Sequence, residues 1–590
     1  MSRLRAVVFD LGGVVLGSPL EGIAEFERER GLPPGFVNVA IVSRGKGGAF
    51  QRLERGELGL SAFYREFRRE LAEPSNVVAY RAWLGKHGRA VPAGLPSSVD
   101  VDTIALFASM MAKAASINPY MLHALFVLRG LGLRVCALTN NWQLAEEQAP
   151  GAGSAKDSSS TNLLQAFFDE IIESSVVGLR KPDPRLYELT VSRLGVAHAE
   201  VVFLDDIGMN LAAASKLGWR TVKVEIGRAR EALAQLADAL GVSRATLVPP
   251  APSAAPATLR FAAGAQGGSL ALDAFGHAFN PAVVLLHGGG QTRHSWAKTA
   301  QQLAEQGFFA LAVDMKGHGD SYWDTRPDVP RRERYMSAAF AEDLDRLVDA
   351  LRLPRRAGGF ALVGASLGGL AILGSRAAKQ ARAVVLVDVT PRLAHAGVTR
   401  IVSFMKKHAD FAPLEDAASA IQAYNPKSGD ASASASASAT AYASASASAS
   451  ASAAQAHSGL HKNLRRTPEG RWRWHWDPEF LSDSQPTPRE LELFETHVMA
   501  SARGMATPCL LVRGRQTDLV SEDAAKAFVA ARPDARYVDV ADAAHMVVGD
   551  RNDVFAAETI RFLTPLLPPV RDPRIAAPTH DTDNTDTAKL

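Results

Sequence analysis

Residues 360–371 read FALVGASLGGLA. An apolar run ends in Gly364-Ala365-Ser366-Leu367-Gly368, and Gly369-Leu370-Ala371 follow. The pattern G-x-S-x-G between a strand and a helix describes a nucleophile elbow. So sharp a turn forces strained backbone angles on Ser366, and glycines two residues before and after it avoid clashes with the neighbouring strand and helix. Turns of this kind stand at the carboxyl edge of a parallel sheet, and the flanking segments supply its other strands.

The runs AVVLLH, FFALAVD, AVVLVDV, PCLLVRG and ARYVDV surround the elbow, with helical patterns between them. In the first half RAVVFDL, LRVCALT, EVVFLDD and RTVKVEI repeat the arrangement, separated by segments such as DPRLYELTVSRL and MNLAAASKL. Strands buried on both faces read as continuous apolar runs, and their alternation with helices implies parallel sheets. The expected fold class is therefore α/β, as two tandem domains over residues 1–245 and 257–570, joined by a proline-rich linker at 246–256. The almost pure Ala-Ser tract 431–454 cannot bury enough side-chain surface to offset its ordering entropy and is expected to be disordered. A polar stretch at 151–162 reads as an inserted loop, and the tail 571–590 as mobile.

The 590 residues carry 65 Lys+Arg against 62 Asp+Glu, a net charge of +3, which gives no electrostatic reason to expect nucleic acid or an acidic membrane as partner. Cys136 and Cys509, the only two cysteines, both lie in apolar runs, which excludes a disulfide framework and a thiolate zinc site. No run of 18 apolar residues and no signal-peptide core is present, so a soluble, non-secreted protein is expected.

In open parallel sheets the chemistry sits at the carboxyl ends of the strands. In the first half Asp10 ends RAVVFD, Thr139-Asn140 follow VCAL, Lys181 lies in GLRKPDP, and Asp205-Asp206 follow VVFL. A carboxylate nucleophile, a hydroxyl and a lysine for a transferring phosphoryl group, and acidic residues for Mg²⁺ would together make a phosphoryl-transfer site. In the second half Asp518, in GRQTDLVS, and His545, in ADAAHMVVGD, follow Ser366 in the chain order of a Ser-Asp-His triad. Asp388, at the end of AVVLVD, is the runner-up acid. His287-Gly288-Gly289-Gly290 end another strand, and the amide of Gly289 pairs with that of Leu367 as the expected oxyanion hole. His287 itself reads as structural.

The first-half residues look like the four motifs of haloacid-dehalogenase-like hydrolases, and RKPDPRLYEL with FLDDIGMNLAAASKLGWRTVKV resembles the phosphatase domain of soluble epoxide hydrolases over about residues 1–230. The resemblance implies a Rossmann-like domain with a helical cap at about 15–115, and Mg²⁺ held by Asp10, the Gly12 carbonyl and Asp205. It also marks a departure: the family's first motif is Asp-x-Asp, and here Gly12 stands at the second position. That carboxylate normally protonates the leaving alcohol and activates water, a contribution of about 10²–10⁴-fold. A degenerate phosphatase domain is expected.

The second half resembles α/β-hydrolases over about 257–566, with VDMKGHGDS matching a loop of that family and a lid expected at about 391–506. Within the lid Trp472, Trp474 and Trp476 alternate; they line an apolar pocket or, the simpler reading, pack the lid itself. The tandem layout copies soluble epoxide hydrolases, which carry Asp where Ser366 stands and H-G-x-P where His287-Gly288-Gly289-Gly290 stands. Serine attacks acyl carbons, so the expected function is a cofactor-free serine hydrolase acting on a small ester or related acyl substrate. Open alternatives are a perhydrolase or haloperoxidase using the same triad, an epoxide-hydrolase-like enzyme with an active phosphatase domain, and a scaffold protein. The resemblance also implies a homodimer. Ala588-Lys589-Leu590 is a variant of the Ser-Lys-Leu peroxisomal address, leaving cytoplasm and peroxisome open.

Overall fold

The computed structural model describes residues 3–92, 95, 99–142, 164–248, 256–356, 358–408, 410–412, 415–417, 419–420, 463–481, 488–541, 543 and 552–568. The loop 151–162, the Ala-Ser tract 431–454, His545, and the tail 571–590 with Ala588-Lys589-Leu590 lie outside these residues, as does most of the linker. Two compact units divide the chain, one built on Met1–Pro249 and the other on Pro250–Val570.

In the first unit β1 (Ala6–Phe9), β2 (Arg134–Thr139), β3 (Glu170–Glu173), β4 (Val201–Asp205) and β5 (Arg220–Lys223) form one sheet in the order β3-β2-β1-β4-β5. Every pairing is parallel. β1 and β4 are buried at every position, which is why both read as unbroken apolar runs. β3 is an edge strand with only Ile172 buried, and its flanking glutamates hid it from a search for apolar runs. Helices Pro19–Glu29, Phe36–Ser43, Ala49–Glu54, Leu60–Ala72, Ser75–Lys86 and Thr103–Ala114 lie between β1 and β2. They share a core of their own around Ile23, Phe36, Phe63, Phe67, Tyr80 and Phe107. The first of them starts with Ser18, whose hydroxyl accepts from the Leu20 amide, and with Pro19, whose missing N–H is no loss in a first turn.

The second unit contains β6 (Ala257–Ala262), β7 (Ser269–Phe275), β8 (Ala282–Leu286), β9 (Phe309–Val313), β10 (Phe360–Ala365) and β11 (Ala383–Val387). Three short strands, β12 (Asp410–Phe411), β13 (Leu464–Arg466) and β14 (Trp472–Trp474), precede β15 (Cys509–Gly514) and β16 (Arg536–Val540). The main sheet runs β16-β15-β11-β10-β8-β9-β7-β6. It is parallel except where β7 pairs antiparallel with β6 and β9. Between β11 and β15, helix His395–Lys407 and the antiparallel sheet β12-β14-β13 enclose a small core that includes Met405, Phe411, Leu464, Trp474 and Trp476. All three tryptophans thus pack within this segment, Trp472 partly buried against the core, and Trp474 Nε1 donates to the His408 carbonyl at 2.6 Å. Both cysteines are buried and unpaired within strands. Among the described residues no helix is long and apolar enough to cross a membrane.

Candidate active sites

Each sheet gathers polar residues at its carboxyl edge. In the first unit Asp10 directly follows β1, Thr139 ends β2 with Asn140 behind it, and Asp205 ends β4. Lys181 reaches them from the loop before helix Pro184–Leu194. Its Nζ lies 2.8 Å from Asp10 Oδ1 and 2.8 Å from Asp205 Oδ2, and its side chain is only 1% exposed. Asn140 fixes the lysine's backbone from both sides: the Lys181 amide donates to Asn140 Oδ1 at 2.8 Å, and Asn140 Nδ2 donates to the Lys181 carbonyl at 3.1 Å. The Leu11 amide donates to Asp10 Oδ1, while the Ile207 amide and Asn210 Nδ2 donate to Asp205. Asn210 is the orienting residue that sequence reasoning passed over; its place one turn into the helix after Asp205 is the signal that pointed to it.

One oxygen from each of Asp10, Asp205 and Asp206 lies within 4.8 Å of the others, and Asp206 Oδ1 is buried without a partner. Gly13, at φ +80°, lets Asp206 approach, because a Cβ there would lie 2.2 Å from Asp206 Oδ2. Three carboxylates face one ammonium, so the cluster is short of positive charge. Burial pushes the Asp10 carboxyl up to about 8 against the pull of Lys181, with Asp205 and Asp206 adding to the rise. Burial and then Asp205 raise Asp206 to about 6. Lys181 stays above its ordinary value because Asp10 and Asp205 outweigh its own burial. An oxygen-lined pocket with this deficit fits a hard divalent cation. At Gly12 a Cβ would meet Pro19 Cδ at 3.3 Å, so a proline ring borders the space a side chain would need.

In the second unit Ser366 sits between β10 and helix Leu367–Gly374 with φ 46° and ψ −112°, the strained geometry expected of the elbow. The flanking glycines are required: a Cβ on Gly364 would lie 2.5 Å from the Gly368 carbonyl carbon, and one on Gly368 would lie 2.5 Å from the Leu286 oxygen. After β8, Gly288 faces the serine, its Cβ position being 3.5 Å from Ser366 Cβ. The amides of Gly289 and Leu367 donate to no group among the described residues, whereas those of Gly288 and Gly290 are taken by Gln291 Oε1 and His318 Nε2.

His287 is fully buried, with Nδ1 2.8 Å from the Gly288 carbonyl and Nε2 accepting from the Met315 amide. Burial holds its pKa down at about 4, as suits a structural group. His318, likewise pushed by burial to about 3, positions Gly290, a role the sequence alone did not reveal. Phe480 roofs the site: a Cβ on Gly289 would lie 3.3 Å from its ring, which packs edge-on against His318 at 4.8 Å.

The two candidate acids occupy different settings. Asp518 is 37% exposed and ion-paired at 2.8 Å with Arg400 of helix His395–Lys407. Asp388, immediately after β11, is 1% exposed and held at φ 48°. Its Oδ2 accepts from Thr517 Oγ1 at 2.6 Å and its Oδ1 from the Gly514 amide at 3.4 Å. Thr517, beside Asp518 in the chain, is thus the residue of that loop that turns inward. No geometry is described for His545, which lies outside the described residues.

Residues 4–218 match the haloacid dehalogenase-like hydrolase family, and residues 281–551 match the alpha/beta hydrolase fold family. The chain is a tandem of these two hydrolase folds. Bifunctional epoxide hydrolase 2 of Sus scrofa is 33% identical over 359 residues, which are 59% of this chain and 58% of that protein. The chain thus spans less than two thirds of that relative. An esterase of Mycobacterium tuberculosis is 30% identical over 205 residues, 33% of this chain and 57% of the esterase. A solved structure of a Mycobacterium tuberculosis esterase superimposes with a TM-score of 0.39 at 23% identity, covering 57% of this chain and 99% of its own.

Proposed function

We propose that the second unit is a serine hydrolase of small ester or related acyl substrates, with Ser366 as nucleophile. The observation that carries this reading is the strained Ser366, with Gly288 facing it and the amides of Gly289 and Leu367 donating to no group among the described residues. The serine oxygen attacks the acyl carbon, its proton passes to His545, and the charge on the carbonyl oxygen is met by the two amides. Asp388, rather than Asp518, is the acid that orients the histidine. An orienting carboxylate works when buried and hydrogen-bonded, and Asp388 has both properties while Asp518 is held at the surface by Arg400. The epoxide hydrolase relative shares the tandem layout, but a serine oxygen at this elbow favours acyl over epoxide chemistry. Labelling by a fluorophosphonate probe tests the reading: wild type is expected to react and Ser366→Ala to remain unlabelled. Absence of labelling in folded wild type would refute it.

The first unit is read as a phosphoryl-transfer centre with Asp10 as nucleophile and Thr139, Asn140 and Lys181 around the transferring group. Mg²⁺ would be held by Asp10, Asp205, Asp206 and the Gly12 carbonyl, and when bound it supplies charge neutralisation for the phosphoryl oxygens. Lys181 holds Asp10 in place and adds a fixed positive charge; Asn140 fixes Lys181.

A further inference from the structure

The loop after β15 joins the candidate acid of the second unit to the lid. Its far end is tied to the sheet by Arg513 Nε, which donates to the Val520 carbonyl at 2.7 Å. Within it, Thr517 Oγ1 donates to Asp388 Oδ2 at 2.6 Å and accepts from the Leu519 amide at 3.1 Å. An amide N–H can only donate, so the hydroxyl proton is left for the carboxylate. The remaining contacts of this stretch belong to the lid. The Ala394 amide donates to the Leu519 carbonyl at 2.9 Å, and Arg400 Nε lies 2.8 Å from Asp518 Oδ2. Gly397 packs so closely that a Cβ there would collide with the Asp518 carbonyl. Ala394 caps helix His395–Lys407, and Gly397 and Arg400 lie in its first two turns. Leu519, only 2% exposed, is thus gripped by the acid's partner through its amide and by the lid through its carbonyl.

From this arrangement we infer that Thr517 is a positioning residue for the acid, and that the seated lid helix keeps it in place. The inference rests on the reading of Asp388 as the orienting acid. A carboxylate directs a histidine only while its own oxygens are fixed. The Thr517 hydroxyl fixes one of them, and the Gly514 amide meets the other at 3.4 Å. When the helix lifts, the Leu519 carbonyl loses its donor, the stretch from Thr517 to Leu519 is released, and the hydroxyl leaves Asp388. Catalysis is thereby tied to closure, because the acid is set only once the lid is seated.

The test uses the full chain and a fluorophosphonate probe, reading the maximal labelling rate and the probe concentration that half-saturates it. Thr517→Val keeps the side-chain shape and removes the hydroxyl. Its maximal rate is expected to fall about 10–100-fold with half-saturation within about threefold, and Thr517→Ser to recover most of the loss. Gly397→Ala pushes the helix off the Asp518 carbonyl and should slow labelling in the same sense, with the double variant Gly397→Ala/Thr517→Val no slower than Thr517→Val alone. Should Gly397→Ala fail to fold, Ala394→Pro takes its place: it removes the amide that meets Leu519, at a φ of −70° that suits proline. An unchanged rate in Thr517→Val beside a large loss in Asp388→Asn would overturn the inference and leave Asp388 as the acid. Failure of Thr517→Ser to recover the rate, or fully additive losses in the double variant, would overturn it as well. An unchanged rate in Asp388→Asn would overturn the choice of acid and the inference with it.

Discussion

The two candidate sites occupy the same topological place, the carboxyl edge of a parallel sheet, yet they set their central side chains in opposite ways. Ser366 is a neutral side chain on a strained backbone, on a turn that only glycines at 364 and 368 allow. Asp10 is an ionisable side chain at the end of an ordinary extended strand, and its environment consists of other ionisable groups. One site stores its specialisation in backbone geometry and the other in electrostatics. They should therefore fail in different ways when altered.

The largest expected effect is at the serine. Ser366→Ala should lower acyl-ester turnover by about 10³–10⁶-fold while the fold, read by circular dichroism, is unchanged. Next comes the orienting acid: Asp388→Asn should cost about 10²–10⁴-fold in kcat. Asp518→Asn should change kcat by less than about fivefold, in keeping with the ~1 kcal/mol of an exposed ion pair. Reversal of those two results would return the role to Asp518. In the first unit the comparable injury is to stability. Lys181→Met leaves buried carboxylates without their cation and should cost about 3–5 kcal/mol, seen as a lower first-unit transition in calorimetry of the whole chain. Asp10→Asn removes one carboxyl from the crowded cluster and should raise that transition.

The smallest effect sharpens the contrast by pH. His287 and His318 are held at about 4 and about 3, below an ordinary 6.5, so the folded second unit keeps them neutral while the unfolded chain protonates them. Their contribution to stability is present above pH 6.5 and is lost as pH falls from 6.5 toward 4, by up to about tenfold in the folding constant per pH unit for each histidine. Buried Glu27 and Glu54 in the first unit have the opposite sign. Burial raises both carboxyls, so the folded state binds their protons more tightly and their contribution grows as pH falls toward 4.5. Denaturation at pH 7 and pH 5 should move the two transitions in opposite directions; movement of both the same way would break the comparison.

Most of the architecture was legible because buried parallel strands cannot hide: each apolar run quoted at the outset forms a strand. β3 escaped because an edge strand buries little, and β6 and β7 because they belong to an antiparallel edge. Motif order pointed to Asp10, Lys181, Asp205 and Ser366, and each ends a strand or lies on a turn or loop beside the sheet edge. It offered both Asp518 and Asp388 as the acid, and what distinguishes their settings, burial and the inward turn of Thr517, is not written in spacing. Asn210 and His318 act through other residues, and supporting roles of that kind depend on three-dimensional contacts.

The contact between positions 12 and 19 bears on how this chain can change. With a Cβ at 12 only 3.3 Å from the Pro19 ring, the effect of adding a side chain there depends on the residue at 19. The two positions should therefore be epistatic, with a double-mutant cycle between Gly12→Asp and Pro19→Ala departing from additivity. An acid added at position 12 needs Pro19 to give by a few tenths of an ångström, so whether it is tolerated depends on the residue at 19. The glycine is thereby a ratchet in sequence space as well as a gap in the site.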